Sequence, residues 1–172
     1  AGFLMSETLP ELGPHGNSTV YYSDYDPMGN QGRVEYGTSG SSFDLQLGHD
    51  RAGRLTTVHE AVGAQRVIEQ RDYYPSTSGA GFAGRLKKAT RSNYFEDGSV
   101  VDVATAYTYN GRGARVDQLS TTVTHAAETP PRQVEFLQSL TWNELGKVDT
   151  HTYPDHQTWS GDPQQAVTYG YD

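Results

Sequence analysis

A chain of 172 residues with a net charge of −8 and no cysteine is sized for one domain with a single core. It can form neither disulfides nor thiolate metal sites, and its acidic balance disfavours nucleic acid and anionic membrane surfaces as partners. Only 34% of the residues are hydrophobic, while 19 glycines and 12 tyrosines favour short strands and frequent turns over packed helices.

Residues 1–17 read as an irregular lead-in, because Pro10, Gly13, Pro14 and Gly16 prevent a sustained helix. Residues 18–172 read as one β-repeat domain. Its first strand is expected at Ser18–Ser23, followed by a turn containing Pro27 and a second strand over Arg33–Tyr36. Phe43, Leu45 and Leu47 alternate with Asp44 and Gln46, the period of a half-buried strand. That strand feeds a hairpin in which Asp50 bonds backbone N–H groups and Gly53 takes a left-handed conformation, with Arg54–Val58 returning. Val58–Asp72 fits neither period cleanly and is read as strand. Tyr73-Tyr74-Pro75 ends it, and Ser76–Gly84 is a loop of small residues. Further strands are expected around Arg85–Phe95, Val100–Tyr109, Val116–His125, Val134–Trp142, Val148–Tyr153 and Ala166–Tyr171.

The Asp50 hairpin is one copy of a recurring pattern: an aromatic or histidine, Asp or Asn, two residues, Gly, then a basic residue and Val or Leu. Tyr25-Asp26…Gly29 leads to Arg33-Val34, and Tyr109-Asn110…Gly113 leads to Arg115-Val116. Trp142-Asn143…Gly146 leads to Lys147-Val148, Gly84-Arg85-Leu86 keeps only the second half, and Tyr171-Asp172 starts the pattern again. Across Tyr21–Asp172 this resembles the RHS or YD-repeat family, with Asn110 and Asn143 replacing aspartate and His49 and Trp142 replacing tyrosine. The resemblance implies an all-β fold in which antiparallel strand-turn repeats form a curved or spiral sheet, part of a shell. It also implies a secreted or cell-surface parent, as in bacterial toxins and teneurin-like adhesion proteins. Any export signal, anchor or toxin domain is expected outside these residues. The partners implied are neighbouring repeats or copies of the same chain, meeting through sheet edges.

No catalytic constellation stands out, so a non-enzymatic protein without cofactors is expected. Gly79–Gly84 matches the spacing of a dinucleotide-binding glycine loop but lacks the following apolar helix. Asp24, Asp26 and Glu35 fall at calcium-loop positions one, three and twelve, yet position five is Met28. His151, Asp155 and His156 near Asp149 lack the spacing of a zinc helix. Arg85, Lys87, Lys88 and Arg91 form a basic patch, read either as a protective sheet edge or as an anionic glycan contact. The aromatic residues beside turns carry two readings, a cross-strand ladder that stabilises the sheet or a platform for sugar rings. Tyr107, Tyr109, Trp142 and Trp159 are the candidate carbohydrate contacts. A polysaccharide hydrolase with paired carboxylates is a third reading. With no apolar run long enough to span a bilayer, membrane insertion is not expected.

Overall fold

Val, Thr and Tyr at alternating positions with Asp-x-x-Gly punctuation fold here into strands alone. The computed structural model describes residues 2–9, 19–36, 44–78, 81–110, 113–128, 131–154 and 166–171, and among these there are twelve strands and no helix. The chain divides at Arg71/Asp72 into two compact units, where the sequence reading has one continuous repeat region.

In the first unit, β1 (Ser6–Thr8), β2 (Thr19–Ser23), β3 (Arg33–Tyr36), β4 (Asp44–His49), β5 (Leu55–Glu60) and β6 (Val67–Tyr73, its last two residues opening the second unit) form an antiparallel meander. β1 lies inside the stretch read as an irregular lead-in. Its three residues show no alternation of their own, and the strand exists because β2 supplies its hydrogen-bond partners, Ser6 opposite Tyr21 and Thr8 opposite Thr19. The segment between Val58 and Asp72 is likewise two strands joined by a turn, with Gly63 at φ 81° where the chain reverses. Among the described residues of this unit Val20 and Val58 are the buried apolar side chains, and Asp44 is buried as well. Asp44 is tolerated there because the Arg33 guanidinium grips both its oxygens, with Nε 2.9 Å from Oδ1. That carboxylate raises the pKa of Arg33, fixing its charge.

In the second unit, β7 (Leu86–Tyr94), β8 (Val100–Asn110), β9 (Arg115–His125), β10 (Arg132–Trp142), β11 (Val148–Thr152) and β12 (Ala166–Thr168) continue the same pattern of neighbour-to-neighbour antiparallel pairing. Directly opposed residues share a face. Val103, Val123 and Val134 therefore form one apolar row across β8, β9 and β10. The opposite face carries Asp102, Thr124 and Gln133, and Ser92 donates to Asp102 at 2.7 Å. The long strands β8 and β9 are half-buried along most of their length, β12 is exposed, and the tightest burial among the described residues is at a turn, where Ala114 is 1% exposed.

Strands alternate in direction, so every second turn falls at the same end of its sheet. The turns carrying the aromatic-Asp/Asn pattern are those entering β3, β5, β9 and β11. One repeat is thus two strands. The enlarged turn between Tyr74 and Arg85 occupies the corresponding place before β7, closed by Tyr74 N–H to Arg85 O and Gly84 N–H to Tyr74 O, both 2.9 Å. This accounts for the half-motif at Gly84-Arg85-Leu86.

Candidate functional site

The side chains of Asp26, Asp50 and Asn143 are consumed by their own turns. Asp50 Oδ1 accepts the Ala52 and Arg54 backbone N–H groups at 2.8 and 3.1 Å, while Oδ2 takes the Arg54 guanidinium. Gly53, at φ 74°, donates back to Asp50 O at 3.0 Å. Asp26 repeats this with Met28 and Asn30, both at 2.9 Å, and Gly29 lies at φ 87°. Asn143 does the same with neutral chemistry, its Oδ1 accepting Lys147 N–H at 3.0 Å beside Gly146 at φ 77°. Hydrogen bonds from Asn30 and Arg54 hold the Asp26 and Asp50 carboxyls below the ordinary aspartate range, as Ser99 does for Asp97. The Asn110 turn differs. It is one residue longer, Asn110 pairs with Arg115, and among the described residues of the turn the left-handed one is Ala114 at φ 42° rather than Gly113.

Four of the motif aromatics, Tyr25, Tyr109, Trp142 and Tyr171, reach sideways. At this end of the sheet, two neighbouring strands diverge into different turns and have no covalent connection. Tyr109 closes that gap by donating its hydroxyl to Leu86 O at 2.8 Å, the Trp142 indole N–H donates to Val116 O at 2.8 Å, and Tyr171 donates to Val148 O at 2.8 Å. Each acceptor belongs to the aliphatic residue of the preceding motif. The basic residue just before that acceptor covers the same ring: Arg85 over Tyr109 at 5.5 Å, Arg115 over Trp142 at 5.5 Å, and Lys147 over Tyr171 at 4.5 Å. In the first unit Tyr25 donates to Leu4 O at 2.5 Å, and Phe3 takes the place of the cation, stacked on Tyr25 with centroids 4.7 Å apart.

The basic-plus-aliphatic pairs visible in the sequence are therefore the receptors of this aromatic staple. Their spacing was legible; that their carbonyls would be the acceptors was not, since backbone atoms carry no sequence signature. Two further aromatics, Tyr74 and Phe82, join Tyr109 in a cluster with centroids 5.9 to 6.3 Å apart, and Tyr74 donates to Tyr107 O at 3.0 Å. Burial in this cluster raises the pKa of Tyr109, with the Arg85 charge acting in the opposite sense.

Of the candidate carbohydrate contacts, Tyr109 and Trp142 are placed in staples, and Trp159 lies outside the described residues. Trp142 also borders an open cleft of about 350 Å³ shared with Asn110, Arg115, Asp117 and Thr141. Asp24, Asp26 and Glu35 do not converge. Both Asp26 oxygens are occupied by its turn, and Glu35 pairs with Arg33 at 2.9 Å. Among the described residues no group of three or more His, Asp or Glu side chains is arranged to hold a metal ion. Asp155 and His156 lie outside them, while His151 contacts Gln138 at 3.1 Å and packs on Tyr153. The dinucleotide-type glycine segment falls within the Tyr74–Arg85 turn, with its residues 79 and 80 outside the description, and it leads into strand β7 rather than a helix. No protein-family model matches this chain, and a search of curated proteins finds no match either.

Proposed function

We propose that this chain is a non-enzymatic architectural segment of the RHS or YD-repeat type, building part of a β-sheet scaffold in a secreted or cell-surface protein. The observation that supports this best is the staple. Tyr109, Trp142 and Tyr171 each take a cation and a carbonyl from the preceding motif, and Asp26, Asp50 and Asn143 are bonded within their own turns, which supports reading the pattern as a rule for adding one two-strand repeat to the last. Such a chain tolerates loss or gain of whole repeats, because each contacts only its neighbours. Deleting residues 116–147 joins Arg115 directly to Val148 and offers Tyr171 the same pair of partners, a cation and the following carbonyl. A deletion protein that retains a β-sheet circular dichroism spectrum and melts cooperatively supports the architectural reading. One that is unfolded under native conditions overturns it.

The edge strands β1 and β12 are exposed along their full length. In this reading they pair with neighbouring repeats or with other copies of the chain. A second reading is a carbohydrate-binding module. It is favoured by the cleft beside Trp142, where Asn110, Asp117 and Thr141 could bond sugar hydroxyls against an indole wall. A glycan array separates the two: saturable binding lost on Asp117→Ala in a folded protein establishes the module, and absence of binding leaves the scaffold.

A further inference from the structure

The geometry points to a binding trough for a medium-chain carboxylic acid, between Arg85 and Arg115 in the second unit. This is independent of the repeat reading. The trough is a shallow, open groove of about 380 Å³, and its walls are Ala114, Leu119, Leu140 and Trp142 with the two arginines beside them. An apolar body fits those walls, which offer no side-chain acceptor for the hydroxyls of a sugar.

Two arginines border the trough. With 21 acidic and 13 basic residues, carboxylates are in excess, and Arg33, Arg54 and Arg71 each hold one. Arg85 and Arg115 hold none among the described residues. Arg85 gives two of its five N–H donors to the carbonyls of Gly81 and Gly113 at 3.2 and 3.3 Å, and both guanidinium groups lie over aromatic rings. Two cations beside an apolar surface, in an acidic protein, complement one anionic head on an apolar tail.

The second observation is Ala114. The extra residue in the Asn110 turn is a buried, non-glycine residue at φ 42°, a conformation that L side chains rarely adopt. Ala114 is one of the residues lining the trough. The corresponding turns at Asp50 and Asn143 use glycine and lack the insertion, and the other non-glycine residues at positive φ, Asp24 and Gln65, lie in the first unit.

The test is an NMR titration of the full chain with octanoate, read at the indole N–H of Trp142, with octanamide as the neutral probe of the same shape. Octanoate is expected to shift the Trp142 signal saturably, with octanamide about tenfold weaker. Arg85→Gln should weaken octanoate to the level of octanamide and leave octanamide unchanged, while Arg85→Lys recovers part of the difference. Equal affinity for the two probes overturns the proposal, as does the absence of any saturable shift at millimolar octanoate. The comparison of probes requires no variant, so a misfolded substitution leaves the test intact.

Discussion

Replacing Tyr109 with Phe removes one hydroxyl and leaves the ring beneath Arg85 and beside Tyr74. The lost bond is the 2.8 Å donation to Leu86 O. A neutral hydrogen bond contributes about 1 kcal/mol net, and water can reach the released carbonyl at the end of the sheet, so the cost stays near that figure. For a unit of about 100 residues this lowers Tm by roughly 4–6 °C. Tyr107→Phe is the control: its ring is on the same strand, and its hydroxyl has no hydrogen bond within the described residues, so its change should stay within about 0.5 kcal/mol. Thermal melts of both variants followed at 218 nm by circular dichroism, a wavelength set by the method, make the comparison. Adding Tyr171→Phe, whose bond to Val148 O lies at a different strand pair, should roughly double the loss, since separated sites add. Equal melting of Tyr107→Phe and Tyr109→Phe would refute the staple as a stabilising device.

The same tyrosine gives an alkaline signature. Burial raises the Tyr109 pKa above its ordinary 10.0, so the neutral phenol stabilises the fold below pH 10 and this contribution is lost as pH rises beyond it. Melts of wild type and Tyr109→Phe from pH 8 upward, conditions chosen to bracket that titration, should therefore converge at high pH. At the acid end the signs reverse: the lowered pKa values of Asp26, Asp50 and Asp97 supply stability above 3.8 that is lost as pH falls through their folded values. Asp50→Asn, which copies the Asn143 turn, should keep the turn and flatten this acid limb in pH-dependent melts, whereas Asp50→Ala should lose the turn bonds at every pH. In Gly146→Ala the new methyl overlaps the Arg115 guanidinium and sits at φ 77°, at a cost of about 2 kcal/mol from backbone strain and the lost cation–π contact. A lower Tm together with a shifted tryptophan fluorescence maximum checks it, and an unchanged spectrum rules out displacement of Arg115 from Trp142. Concentration-dependent light scattering should show self-association through β1 and β12; a strict monomer at all concentrations contradicts pairing at those edges.

Much of the secondary structure was legible because strand and turn signals are local. Asp50 and Gly53 needed only each other and the intervening backbone to declare a hairpin. Alternation of Asp44 and Gln46 with Leu45 and Leu47 showed a strand for a similar reason, since period two directly reflects the pleat. What failed locally was whatever depended on a neighbour. β1 has no alternation and exists through its pairing with β2. The left-handed position in the Asn110 turn moved to Ala114 because the pairing of Asn110 with Arg115 encloses one residue more than its counterparts. Tyr107 and Tyr109 looked equivalent in sequence, yet only Tyr109 stands where two strands part and a carbonyl is free to accept its hydroxyl.

The sequence by itself determined an all-β chain of repeated turns, because its Asp or Asn, glycine and aromatic residues act within a few positions of one another. Only the tertiary structure decided what the aromatics and basic residues do. Their partners are backbone carbonyls and ring faces on an adjacent strand, more than twenty residues away in the chain, and such contacts exist only once the strand register is set.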